Sequence, residues 1–263
     1  ANSDGVVAYL KGTASLVGVE DVSLSGSLIE RVNTTSAPVE ISIDSDGTTA
    51  TVPAMFAELS GAATLQIGDF AYLSGNMSFS RSEEETVTLA DDDTDVVRIV
   101  TIGADNVIAF AGINGPYFTV DDDTNSNGTV DAGEAVNSEA VGLSLEGTSF
   151  GLALLTSTTS TSGSRDSWYA LKGRTENVQA VGISDIEVSG GAEIQINGFD
   201  QENAKTVVVD FQTSFPDLID DPDDSDGPDI PGLLAGTGGV PYVLDFDGQF
   251  LRVAGELSVA IDG

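Results

Sequence analysis

The sequence contains neither cysteine nor histidine. Without cysteine it has no disulfide framework, no thiol nucleophile and no zinc–thiolate site. Without histidine it lacks the usual general base near neutral pH and the commonest ligand of transition metals. Carboxylates remain as the abundant reactive groups, and carboxylate oxygens are the ligands that calcium prefers.

Basic residues are scarce. The 263 residues include 9 Lys and Arg against 43 Asp and Glu, which gives a formal net charge of −34. A nucleic acid or an anionic membrane surface would add repulsion to this charge instead of releasing counterions, so we expect neither as a partner. The acidic side chains also repel one another within a compact chain, and this repulsion calls for salt or bound cations.

Long apolar runs are missing as well. No stretch of about 18 apolar residues is present, so we expect no membrane insertion by a helix. Residues 1–10 (ANSDGVVAYL) lack the basic and apolar regions of a signal peptide, so we expect either a mature chain or a piece of a longer one. With 40% apolar residues, the chain can still bury a substantial core.

Apolar and polar residues alternate with period two through much of the chain. In residues 8–16 and 22–28 every second residue is apolar or glycine, and serine and threonine fill much of the other face. This alternation predicts β-strands with one wet face. Glycines recur inside these strands and indicate bends, bulges, close approach of another backbone or a layer of small residues. They are Gly12, Gly26, Gly61, Gly75, Gly173, Gly190 and Gly255.

The same glycines reveal an internal repeat. LKGTASLVGVEDVSLSG, from Leu10, aligns with LKGRTENVQAVGISDIEVSG, from Leu171, and FAELSGAATLQIG, from Phe56, matches FLRVAGELSVAIDG, from Phe250. We interpret residues 1–160 as a first repeat unit, including a loop at 121–134, and residues 161–263 as the front half of a second, homologous unit. Such a chain is expected to be a segment of a longer tandem array, and a stand-alone protein with a decayed duplication is the alternative.

These patterns together predict an all-β fold. The expected architecture is an elongated repeat of long, glycine-kinked antiparallel strands, and a β-solenoid is the alternative, because short strands with glycine corners would give a similar sequence. If the two units are homologous, residues 10–28 and 171–192 should form the same strand pair. Gly26 and Gly190 should then lie at equivalent bends.

Residues 123–134 (DTNSNGTVDAGE) match a twelve-residue calcium loop. Side chains at alternate positions of such a loop converge on one ion, the glycine at position six allows a sharp turn, and the final glutamate donates two oxygens. A solvated acidic turn is the alternative. The flanking segments are strand-like and contain no helix pair, so a bound Ca²⁺ would tie strands together and would not act as a switch. The predicted ligands are Asp123, Asn125, Asn127, Thr129 through its carbonyl, Asp131 and Glu134.

Other acidic clusters are typical of solvated turns: residues 44–46, 91–95, 220–229 and 245–247. Because 43 acids guarantee chance pairs of carboxylates, the acid content is no evidence for a glycosidase, and we expect no enzyme activity. The rival function is carbohydrate binding or carbohydrate chemistry. It would rest on Trp168 and Tyr169 as a stacking platform for sugars, although a pair at the rim of the core is the simpler interpretation.

Several phrases, such as FGLALL at 150–155, WYALKG at 168–173 and FLRVAGELSVAIDG at 250–263, resemble repeat units of very large secreted proteins of marine Gram-negative bacteria, the RTX-like, calcium-dependent adhesin class. The GGxGxDxUx nonapeptides of RTX rolls are absent. Residues 123–134 by themselves resemble isolated EF-type loops of dockerin-like repeats. The resemblance implies a structural or adhesive segment, extracellular or at the cell surface. Its partners would be neighbouring repeats of the same chain or like chains, with surface glycans as a further class.

Overall fold

The computed structural model describes most of the chain. The described ranges are 5–15, 22–43, 48–52, 56–67, 69–119, 136–159, 165–184, 186–200, 204–216, 218–219, 230–236 and 242–261.

Seventeen strands and one short helix lie in these ranges. In chain order they are β1 (Val7–Ser15), β2 (Val22–Asn33), β3 (Val39–Ser42), β4 (Thr49–Val52), β5 (Phe56–Ile67), β6 (Ala71–Leu89), β7 (Thr94–Ile113), β8 (Val141–Ser157), β9 (Ser167–Thr175), β10 (Asn177–Val181), β11 (Ile186–Phe199), β12 (Val209–Asp210), α1 (Phe211–Ser214), β13 (Leu218–Ile219), β14 (Ile230–Pro231), β15 (Leu233–Ala235), β16 (Tyr242–Leu244) and β17 (Phe250–Ile261).

One large antiparallel sheet dominates the fold. Its main path runs β1-β2-β5-β6-β7-β8-β9-β11-β17, and β10 and β12 add to β8 and β6. Every pair along this path is antiparallel. The prediction of an all-β fold with antiparallel strands is confirmed, and the solenoid alternative does not describe this sheet. At 19 and 20 residues, β6 and β7 each extend about 60 Å or more.

Apolar side chains occupy both faces of the central strands, which departs from the predicted single wet face. On one face, which we call the covered face, Ile99, Leu155 and Trp168 belong to the largest buried cluster. On the second face an apolar row crosses seven strands in register. It consists of Leu59, Phe79, Ile102, Leu152, Leu171, Ile196 and Leu251.

The segment between β11 and β17 covers the first of these faces. Its residues Val209, Phe211 and Leu244 are fully buried against the cluster of strand residues. The approach is close because the sheet presents glycine beneath it: a Cβ on Gly103 would lie 2.2 Å from Cα of Gly236. The helix in this segment, α1, has four residues. In the described part of the chain, no helix has the length and apolarity needed to cross a membrane.

Candidate functional site

The predicted calcium loop lies outside the described residues. Asp123, Asn125, Asn127, Thr129, Asp131 and Glu134 all fall within 120–135, so their prediction as ligands stays a prediction.

The residues that flank this loop are described, and they bring its two ends together. Phe118 forms an antiparallel bridge with Val136. The amide of Asn137 donates to the carbonyl oxygens of Asn114 (2.6 Å) and Pro116 (3.2 Å), and the backbone N–H of Asn137 donates to Tyr117 O (2.7 Å). Convergent ends are what a loop around one ion requires, and a loop without an ion would use the same anchor.

Two of the weaker acidic clusters fall within the described residues. No three acidic side chains come together there in the manner of a metal site. Asp95 is buried and accepts from the hydroxyl of Ser157 (2.9 Å), while Lys205 Nζ lies 3.0 Å from its other oxygen. Asp245 forms an ion pair with Lys172 at 2.5 Å. Both carboxylates therefore already have a lysine of the same chain as their counterion.

The Asp95–Lys205 pair anchors the covering segment to the sheet. Lys205 Nζ also donates to Thr94 O (3.0 Å), and the carboxylate of Asp166 accepts from the backbone N–H groups of Ala204 (2.6 Å) and Lys205 (3.1 Å). These contacts lie around a cleft of the surface that Asp95, Asp166 and Lys205 help to line. Sequence reasoning missed this pair because its members are far apart in the chain.

The internal repeat appears in the structure as strand pairing. Val22–Asn33 of β2 pairs with Phe56–Ile67 of β5, and the aligned residues Ile186–Asn197 of β11 pair with Phe250–Ile261 of β17. Aligned residues of the two pairs oppose aligned partners. Leu28 opposes Gly61, and their aligned counterparts Ala192 and Gly255 oppose each other. The two strand pairs are thus equivalent in register along their whole length.

Asparagine at the end of each pair is the most specific repeated feature. Asn33 and Asn197 occupy equivalent positions, and both are buried. Asn33 Nδ2 donates to the carbonyl oxygens of Ala37 (2.9 Å) and Val52 (3.0 Å). Asn197 Nδ2 donates to those of Val209 (2.9 Å) and Gly248 (2.9 Å). Each amide therefore ties together the departing and returning parts of the segment that leaves the sheet between its two strands.

A signal in the sequence could have found these asparagines. The aligned segments ERVN and IQIN end in asparagine at the same offset beyond Gly26 and Gly190. An asparagine that is repeated at the end of an apolar strand suggests a buried amide that binds backbone groups.

The first strand of the repeat is only partly equivalent in its two copies. Residues 10–28 and 171–192 both contribute to antiparallel pairs, β1 with β2 and β9 with β11. Gly12 opposes Leu28, but Gly173 opposes Ile194, two residues beyond the aligned position. The prediction of equivalent bends is wrong, because φ of Gly190 is 135° whereas Gly26 lies outside the left-handed region. The division into units 1–160 and 161–263 itself stays an interpretation.

Trp168 and Tyr169 do not form a joint surface. Trp168 is 1% exposed, and its Nε1 donates to Val207 O at 2.8 Å, so this ring belongs to the core of the covered face. Tyr169 is partly exposed and, as its neighbour in a strand, projects from the opposite face. The side chain on which a sugar-stacking platform chiefly depended is therefore inaccessible.

The two outermost strands of the sheet, β1 and β17, have a paired strand on one side only among the described residues. Their counterparts within the repeat are paired on both sides: β9 lies between β8 and β11, and β5 lies between β2 and β6. A Cβ on Gly12 would meet no atom within 4 Å, whereas one on the aligned Gly173 would lie 3.0 Å from Cβ of Phe150 in β8. The edge strands β1 and β17 therefore expose positions that a neighbouring strand covers in their counterparts β9 and β5.

Comparison with known proteins adds no further assignment. No family model, curated protein or solved structure matches this chain.

Proposed function

We propose that the chain is a calcium-stabilised structural or adhesive repeat segment of a large extracellular bacterial protein or filament. The observation that carries this proposal is the equivalence of the β2–β5 and β11–β17 pairs, with Asn33 and Asn197 at matching positions. Repeat architectures are built from strand pairs that recur in the same register, because each copy is stabilised by contacts with its neighbours.

Calcium is the proposed stabilising ion. Its ligands would be Asp123, Asn125, Asn127, the carbonyl of Thr129, Asp131 and Glu134. The pairing of Phe118 with Val136 supports this assignment, because it holds the ends of the loop side by side. A divalent cation at this place would offset local carboxylate repulsion in a chain whose net charge is −34.

We propose a non-catalytic role. Among the described residues, the buried carboxylates Glu58 and Asp95 are each paired with a basic side chain, Arg31 at 2.6 Å and Lys205 at 3.0 Å. Both buried carboxylates therefore have a counterion within the same chain. The partners proposed from the resemblance to RTX-like, calcium-dependent adhesins are neighbouring repeats of the same chain or like chains. The location proposed from it is extracellular or at the cell surface.

Thermal unfolding in three solutions tests the proposal. Binding of calcium to the folded state alone adds about 2.7 kcal/mol when free calcium exceeds its dissociation constant a hundredfold. We expect the midpoint to fall in chelator at low salt, to recover fully with calcium, and to recover only in part with molar sodium chloride, which screens the charges.

Two variants complete this experiment. Glu134→Ala should abolish most of the response to calcium, whereas Glu139→Ala, which removes an exposed carboxylate just outside the loop, should respond as the parent does. An equal midpoint for the parent chain in all three solutions would contradict a calcium-stabilised scaffold. A glycan array probes the rival partner class: a spacer should bind no glycan, and specific binding that survives chelation would favour the carbohydrate-binding alternative.

A further inference from the structure

The outer edge of β17 is matched to one kind of partner. β17 aligns with β5, and β5 pairs with β2 on one side and with β6 on the other. β17 pairs with β11, the counterpart of β2, and the described residues supply no strand for its other side. The position equivalent to that of β6 is therefore open.

The exposure of side chains on β17 supports this comparison. Val253 and Val259 are 71% and 60% exposed. Their counterparts in β5 are Leu59 and Leu65, which are partly buried and oppose Phe79 and Leu73 of β6. The large apolar side chains of β17 are thus exposed at the positions where β6 covers β5.

The edge also lacks the usual protection against pairing. Exposed edge strands are commonly blocked by proline, by bulges or by rows of charge. β17 has 12 residues without proline, and its partnership with β11 runs through all of them without a register shift. Its charged residues are Arg252, which pairs with Glu193 of β11, and Glu256. Such an edge is a competent acceptor for a further strand.

We propose that the outer edge of β17 binds an antiparallel strand of the β6 type, supplied by another repeat of this kind. The inference rests on the proposed function as a repeat segment. It adds which edge accepts a strand, which type of strand binds there and in which register the two pair. Transferred from the β5–β6 pair, the register places a residue equivalent to Phe79 opposite Val253 and one equivalent to Leu73 opposite Val259. The same register places the residue equivalent to Arg81 opposite Leu251, so the apolar contacts with the incoming strand are those at Val253 and Val259.

A synthetic peptide with the sequence of residues 71–81 (AYLSGNMSFSR) is the probe. We expect saturable one-to-one binding to the full chain by fluorescence anisotropy, and no binding of a scrambled peptide of equal composition. Val253→Glu should weaken binding at least about tenfold, because it places a charge within an apolar contact. The matched control Val6→Glu changes a similarly exposed valine (62% against 71%) beside the opposite edge and should bind as the parent does.

Disulfide formation tests the register, and the absence of cysteine from the chain makes this test clean. Directly opposed residues of an antiparallel pair have Cβ atoms about 4.5–5.5 Å apart, which is close to the spacing of about 3.5–4.5 Å across a disulfide. Val259→Cys should therefore cross-link to a peptide carrying Leu73→Cys much faster than to one carrying Ser74→Cys, whose side chain projects from the other face. Because Val253 and Val259 are exposed, the Val253→Glu and Val259→Cys variants should keep the parent's melting temperature.

Several results would overturn the proposal: no saturable binding, equal binding by the Val253→Glu variant, or cross-linking at equal rates to both peptides. Self-association of the chain that Val253→Glu abolishes, without peptide binding, would instead assign the edge to a second copy of β17. These outcomes leave the response to calcium untouched. A chain that responds to calcium but does not bind the peptide therefore retains the proposed function and loses only this inference.

Discussion

Removal of the amide of Asn197 should destabilise the sheet at one defined point. Its Nδ2 donates to Val209 O and Gly248 O, both at 2.9 Å, and the side chain is almost fully buried. Asn197→Ala removes this donor from two carbonyl groups, the buried one of Val209 and the partly buried one of Gly248. A lost hydrogen bond of this kind costs about 1–2 kcal/mol, so we expect a loss of about 2–4 kcal/mol in the free energy of unfolding.

The same argument applies to Asn33, whose side chain has more partners. Its Nδ2 donates to Ala37 O and Val52 O, and its Oδ1 accepts from the backbone N–H of Thr35 (2.9 Å) and from the Thr35 hydroxyl (2.7 Å). Asn33→Ala should therefore destabilise at least as much as Asn197→Ala. Asn76→Ala removes the same group from an exposed position of β6 and should change stability by less than about 0.5 kcal/mol.

Urea unfolding in calcium is the appropriate assay, and the single tryptophan provides the probe. Trp168 is buried in the covered face, so its fluorescence should change when the core opens. A loss of 3 kcal/mol would lower the melting temperature of a chain of this size by roughly 5 °C. If Asn33→Ala and Asn197→Ala were as stable as Asn76→Ala, the buried amides would not hold the excursions from the sheet, and their assigned role would be wrong.

Three further predictions concern the covered face. Lys205→Met removes the cation from Asp95, whose side chain is nearly buried, and should lower the free energy of unfolding by about 1–3 kcal/mol. The double variant with Asp95→Asn should recover part of this loss, and a loss without recovery would exclude the ion pair as its cause. Gly103→Ala should cost about 1–3 kcal/mol, because its Cβ would overlap the backbone of Gly236. Gly12→Ala, with open space around it, should be nearly neutral. Equal effects would mean that the covering segment does not approach the sheet as described. Trp168→Phe removes the fluorescent probe, so its urea unfolding is followed by circular dichroism. It should cost about 1–2 kcal/mol through the lost hydrogen bond to Val207 O, and an unchanged midpoint would contradict that bond.

The sequence predicted the parts of this fold that depend on local periodicity. Alternation with period two marks β-strands wherever one face is apolar, and the glycine-centred repeat in the sequence aligns β2 with β11 and β5 with β17. The two-residue slip between β9 and β11 could not be predicted, because a shift by two keeps every side chain on its own face. Burial patterns therefore do not distinguish the two registers.

The candidate sites divide in the same way. A calcium loop is a local motif and can be proposed from twelve residues, although these residues lie outside the described part of the chain. The Asp95–Lys205 pair depends on how a distant segment returns to the sheet, and no local pattern marks it. Asn33 and Asn197 lie between these cases, since the repeat aligns them but only the structure shows which carbonyl groups they bind.

The two buried asparagines also make the sheet tolerant of new material. Between the equivalent strands lie very different excursions, residues 34–55 in one copy and 200–249 in the other, yet the strands on either side keep one register. Asn33 binds its excursion near both ends, at Ala37 and Val52, whereas Asn197 binds Val209 and Gly248 of an excursion that also packs against the core. The residues between Ala37 and Val52 can therefore change in length and content without loss of the contacts that Asn33 makes. A foreign domain inserted between Ala37 and Val52 should therefore leave the β2–β5 strand pair intact.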